Sequence, residues 1–208
     1  MTSEAGGLTL ASLALFNGAI LLAVMGPGPA FLVCVQASLS QGRRQGTMVG
    51  LGLAVVAGLW TLAALAGLEA LFELFPVAYA TLKVGGALLI LAVAVQVWRQ
   101  ARAPIAGHGD GSRRRAFLRG ALLNLGNPKS ILFSAGVLLV IFPPNLSLGE
   151  MAFVTLNHIL LEALVYAAIA HLMTRDAVRT RYLAAKPAIT RAMALVLAML
   201  GVRLLAAS

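Results

Sequence analysis

Charge is scarce in this sequence, and acidic charge scarcest. Of 208 residues, 11% are charged and only seven are Asp or Glu; aromatic residues make up 6%. A soluble domain carries about 25% charged residues, so this composition excludes a cytosolic globular enzyme and a disordered chain. Cysteine is almost missing, with Cys34 alone. A single thiol forms no intrachain disulfide and builds no cysteine metal site, which removes the secreted disulfide scaffolds. Residues 1–7 contain Glu4 and no basic residue. They lack the basic start of a cleaved signal peptide, so the first apolar stretch is expected to stay. The net charge of +9 would suggest nucleic acid in a soluble chain. Here no run resembles a nucleic-acid module, and no nucleic-acid partner is expected.

What is present is apolar surface, 60% of the residues. A membrane-crossing helix needs about 20 apolar residues, and six stretches meet that need: 8–39, 47–72, 76–98, 116–142, 151–173 and 187–205. They are too long for strands and too uniformly apolar for surface helices. The basic residues fall between them in alternation. Arg43 and Arg44 lie in the first connection. Arg99, Arg102, Arg113, Arg114, Arg115 and Arg119 lie in or at the edge of the third, and Arg175, Arg179, Arg181, Lys186 and Arg191 around the fifth. The second and fourth hold Glu69, Glu73 and Glu150 instead. Basic loops face the cytoplasm and contact anionic lipid, so both termini of a multi-pass membrane protein are expected to face out.

The fold class expected is therefore an all-α integral membrane protein of six transmembrane helices. Residues 1–98 and 116–208 form two three-helix halves, and 99–115 is a basic cytoplasmic loop. Three crossings per half is an odd number, so the halves insert with opposite orientation, as an inverted repeat.

The first and fourth stretches are interrupted. Gly26-Pro27-Gly28-Pro29 breaks one and Asn127-Pro128-Lys129 the other. Proline removes a backbone donor and glycine weakens the helix. An unsatisfied backbone group in lipid costs several kcal/mol, so such a break persists only against protein or a water-filled cavity. About eleven residues separate each break from the cytoplasmic edge, which sets both roughly 16 Å deep, near the midplane. Broken spans at matching positions of two halves point to a transport site. Lys129 then sits inside the membrane, where a cation needs a carboxylate, carbonyls or a substrate. Glu162 lies near the centre of the fifth stretch. His158 precedes it by one turn and Tyr166 follows by one, so the three share a helix face. A central carboxylate beside an imidazole can carry a coupling proton, pair with a substrate ammonium, or neutralise Lys129 or Lys83. Lys83 either snorkels outward or lines the cavity. A His158/Glu162 metal site lacks further ligands; no metal and no cofactor is expected. Gly42, Gly46, Gly50, Ala54 and Gly58 form a small-residue stripe, which serves an intramolecular contact or a homodimer contact equally.

The run GPGPAFLVCVQASLSQGRRQGTMVGLGLAVVAG resembles the start of the LysE/RhtB family of bacterial amino-acid exporters, with its Gly-Arg-Arg-x-Gly turn and glycine-spaced second span. Leu82-Lys83-Val84-Gly85-Gly86 resembles the family's Lys-x-x-Gly stretch. Phe117 to Gly120, Asn124 and Asn127-Pro128-Lys129 resemble its F-x-x-G…N-x-x-NPK segment. The last two stretches match in hydrophobicity alone. Leu89, Ala94 and the lone Phe133 depart from the family pattern of Tyr, Gly and a Phe-rich stretch. The resemblance implies secondary, proton-driven export of amino acids or related small metabolites. On that reading Gly26 to Pro29, Asn124, Asn127, Pro128, Lys129 and Lys83 contact substrate, Glu162 and His158 carry the coupling proton, and no residue is catalytic. A divalent-cation exporter of the same superfamily, which needs clustered ligands, is the alternative. A membrane-embedded enzyme is the more distant one, because no nucleophile–base spacing signals it.

Overall fold

The protein is described by a computed structural model, which covers residues 7–25, 28–67, 112–127, 129–131, 133–134, 141–143 and 146–206, with single positions between 88 and 99. The described residues are helical, without strands. Among the described residues the longer helices are α1 (Leu10–Met25), α2 (Pro29–Gln41), α3 (Arg43–Leu65), α4 (Arg113–Leu125), α5 (Leu148–Met173) and α6 (Asp176–Ala206). Among the described residues, α3 and α5 are each long and apolar enough to cross a membrane. The pair α1 and α2, which meet at 61°, makes a third crossing if counted as one bent span. The third apolar stretch, 76–98, is described only at single positions.

Local sequence explains where these helices start and stop. Pro29 occupies the first turn of α2 behind an extended Gly28, the position where a missing N–H is harmless. Between α2 and α3 there is a single residue, Gly42, at φ +85°. That left-handed backbone is open to glycine and strained for other residues. It lets the chain reverse at once and lays α3 back along α2. Ser112 caps α4 by accepting from the Arg115 amide. Ser147 and Glu150 form a reciprocal capping box on α5, which satisfies two of the orphan amides of that helix end. The same Glu150 carboxylate accepts from the Leu8 amide at 2.8 Å, so it fastens the N-terminal segment to the start of α5 across 142 residues. Glu150→Ala should therefore free that segment. Limited proteolysis of the variant should cut before α1 several-fold faster than in the wild type, and an unchanged cutting rate would show that the tie is not formed in solution.

The helix that carries the sixth apolar stretch begins before it: α6 starts at Asp176 and runs through Pro187, where the stretch begins. Proline removes one hydrogen bond and kinks a helix locally. Asp176 in the first turn complements the N-terminal dipole, so the helix has a sound start eleven residues earlier.

The small-residue stripe of α3 is spent inside the chain. A Cβ at Gly46 would meet Ser38 and Ala170, one at Gly50 would meet Tyr166, and one at Gly58 would meet Ile159. Off that stripe, Gly52 and Gly120 let α3 and α4 touch backbone to backbone. A Cβ on Gly52 would overlap the Phe117 carbonyl, and one on Gly120 the Val49 carbonyl. α3 thus lies between α4 and α5. In lipid, where no hydrophobic force drives helices together, such close backbone approach supplies the packing energy. Buried Phe16, Ile20, Leu53, Val49 and Val154 fill the core around these contacts.

Candidate functional site

Both breaks are present in the structure. α1 is described to Met25 and α2 starts at Pro29 behind an extended Gly28, while α4 ends at Leu125, with Gly126 and Asn127 outside the helix and helix described again at Lys129. Asn124 holds the second break together. It is buried, its amide donates to the Leu53 carbonyl at 2.6 Å, and its Oδ1 accepts from Asn127 Nδ2 at 3.1 Å and from Ser130 Oγ at 2.5 Å. Asn127 Oδ1 in turn accepts the Lys129 amide at 3.1 Å. Asn127 thereby satisfies one backbone amide where the helix resumes, as a helix end out of water requires, and Asn124 ties the break to α3.

Lys129 joins the two breaks. Its Nζ donates to the carbonyl of Ala23 in the last turn of α1. That carbonyl is one of the four orphaned by a helix end, and a cation there also complements the negative end of the dipole.

Lys129 reaches a cavity of about 40 Å³ whose wall includes Gly28, Asn127, Ser134, His158, Glu162 and Tyr166. This is room for about two or three waters. His158, Glu162 and Tyr166 share one face of α5, are all buried, and all line it. His158 is bonded on both ring nitrogens. Nδ1 lies 2.6 Å from Thr61 Oγ1 and Nε2 lies 3.0 Å from Glu162 Oε2. With Glu162 ionised, Nε2–H donates to the carboxylate and the Thr61 hydroxyl donates to Nδ1. With a proton on Glu162, its O–H donates to Nε2 and Nδ1–H donates to Thr61. The pair therefore accommodates one extra or displaced proton without an unpartnered nitrogen. Phe16 covers it on one side, edge-on to His158 at 5.4 Å and to Phe142 at 5.3 Å, and stacked on Phe133 at 6.2 Å. The low local dielectric behind these rings strengthens every charge interaction in the cavity.

Of the residues singled out in the sequence, Gly28, Asn127, Lys129, His158 and Glu162 line this one cavity. Pro29 is buried beside it in the first turn of α2, and Asn124 supports the break from behind. Gly26, Pro27, Pro128 and Lys83 lie outside the described residues. Thr61 was not anticipated. The available signal was a hydroxyl in the otherwise apolar middle of the second stretch. Among the described residues, no group of three or more His, Cys, Asp or Glu side chains gathers as a metal site would need.

Apolar spanning helices built around a cavity lined by one ammonium and one carboxylate fit a membrane protein of the translocator class. Comparison with known proteins gives the particular family. The family model described as LysE type translocator matches residues 21–208, and the chain belongs to that family. The family is one of translocators rather than enzymes. The chain is 32% identical over 123 residues to a threonine efflux protein of Escherichia coli K12, covering 56% of this chain and 60% of that relative. It is 30% identical over 147 residues to the threonine efflux protein of Salmonella typhi, covering 66% and 71%. It is also 30% identical over 157 residues to a homoserine/homoserine lactone efflux protein of Salmonella typhi, covering 74% and 76%. The match thus spans under two thirds of the length of the E. coli relative. No solved structure matches the chain.

Proposed function

We propose that the chain is a secondary exporter of small amino acids across the bacterial inner membrane, coupled to the proton gradient. The observation that carries this reading is the placement of Lys129 and Glu162 in the wall of one cavity. A zwitterion has one carboxylate and one ammonium, and opposite charges in low dielectric select such a molecule. Lys129 meets the carboxylate. Glu162 meets the ammonium or holds the coupling proton with His158, and the two roles exclude each other in time. Proton and amino acid then compete for one carboxylate, which is the simplest form of exchange. Naming of relatives as threonine and homoserine efflux proteins supports the substrate class.

The reading includes six spans in two inverted halves, 1–98 and 116–208, joined by the basic loop 99–115, with both termini periplasmic. Ligand pockets are usually about 300 Å³ or larger. A cavity of about 40 Å³ must therefore widen to admit a substrate, as alternating access requires, and the rocking of one half against the other supplies that motion.

The test is counterflow and efflux from proteoliposomes holding the full chain, loaded with a mixture of amino acids, with and without an imposed proton gradient. Gradient-dependent loss of a subset is expected. No movement of any amino acid by folded protein would sink the assignment and redirect the search to cations and other metabolites. In the same assay Lys129→Met should raise the substrate KM at least about 30-fold, since truncating one member of a buried charge pair costs roughly 2 kcal/mol or more. An unchanged KM would remove Lys129 from carboxylate binding.

A further inference from the structure

Two serines stand one turn apart on the helical segment that follows the second break, and both line the cavity. Their situations differ. Ser130 Oγ is committed to Asn124. Ser134 is 2% exposed, and its Oγ is buried without a hydrogen-bond partner among the described residues. A hydroxyl taken out of water with no hydrogen bond is penalised strongly enough that nearly all buried ones are paired. The oxygen has no room beside it for a water either. A group kept in that state in the wall of a binding cavity is suited to a ligand that brings its own hydrogen-bonding group.

We propose that Ser134 is a specificity-determining residue that hydrogen-bonds the side-chain hydroxyl of the substrate. This rests on the exporter reading and deepens it. The charges of Lys129 and Glu162 are matched by the two ends that all amino acids share, so they do not distinguish one amino acid from another. Ser134 is different. A hydroxyl both donates and accepts, and a substrate hydroxyl brought against Ser134 supplies the bond it lacks. A substrate with a methyl in that place leaves Ser134 unpaired. Sites built to bond a substrate hydroxyl discriminate against analogues lacking it, whereas apolar pockets distinguish such isosteres weakly. The widening that admits a substrate also uncovers this sealed hydroxyl.

Threonine and valine are the matched pair for the test, alike in shape and differing by the one hydroxyl. The full chain is reconstituted in proteoliposomes, and KM and kcat are measured for both amino acids in the wild type and in Ser134→Ala. The variant removes an unpartnered hydroxyl, so it should reach the membrane and melt as the wild type does. The wild type is expected to favour threonine over valine in kcat/KM by about tenfold or more, the scale of one hydrogen bond lost against a buried group. Ser134→Ala is expected to bring that ratio close to one, through the threonine KM. Equal handling of the two amino acids by the wild type, or a loss in Ser134→Ala shared equally by both, overturns the proposal while leaving amino-acid export intact. Absence of any amino-acid movement in the wild type is a separate result that overturns the exporter reading itself, and this inference with it.

Discussion

Glu162→Gln should reduce gradient-driven efflux to the background of empty liposomes, with the protein still present in the membrane at its normal level. The amide keeps the shape of the carboxylate and can still accept from His158 Nε2, 3.0 Å away. What it loses is the charge and the ability to take up a proton. A buried carboxylate that is made neutral loses a desolvation penalty as well as an attraction, so the fold should tolerate the change even though transport does not. If Glu162 serves coupling alone, the variant still exchanges preloaded substrate for external substrate while failing to respond to a proton gradient. If it also binds the substrate ammonium, exchange fails too. Normal efflux at the same gradient would show that Glu162 is not the coupling residue, and the Thr61–His158–Glu162 chain would then be a structural network.

Gly120→Ala should have the largest effect on the fold. The new methyl would overlap the Val49 carbonyl, and the Leu53 amide lies close behind. Both are backbone atoms of α3, so no rotamer change relieves the overlap and the helices must separate. Overpacking of this kind costs about 3 kcal/mol or more. Separation also pulls Asn124 from the Leu53 carbonyl, and with it the support of the second break. The expected outcome is a sharply lower yield of monodisperse protein in detergent and a lowered melting temperature. Gly18→Ala is the control, because Gly18 is exposed on α1 with nothing near its Cβ position. That variant should melt at or slightly above the wild-type temperature, since alanine favours a helix more than glycine does. Equal behaviour of the two variants would mean that α3 and α4 do not cross at these glycines.

Both results depend on features that the sequence displays to different degrees. The apolar spans α3 and α5 were legible from length and hydrophobicity, because lipid requires long helices and leaves little choice of element. The breaks were legible because proline and glycine act on their own backbone. Sharing of one face by His158, Glu162 and Tyr166 followed from a period of 3.6 residues. Each of these is a local property, fixed within a turn or two of helix, and so it can be read from the order of residues. The start of α6 was not legible in the same way, because at Pro187 a locally unfavourable residue is carried by a helix that extends on both sides of it.

The contacts that make a site of these pieces are of another kind. Lys129 bonds to Ala23 across 106 positions, His158 to Thr61 across 97 and Asn124 to Leu53 across 71. No periodicity specifies such pairs. They exist because glycines at 46, 50 and 58 bring α5 onto one side of α3, and Gly52 with Gly120 brings α4 onto another. The glycine stripe announced a close approach, but its partner depended on which helices fold against it. By itself the sequence determined an apolar helical chain, two interrupted helices and a cation and a carboxylate within apolar stretches. Tertiary structure alone decided that these charges face one cavity, that one break satisfies the other, and that Ser134 is left without a hydrogen-bond partner among the described residues. Long-range packing in lipid is set by how closely backbones approach, and that distance is a property of two helices together.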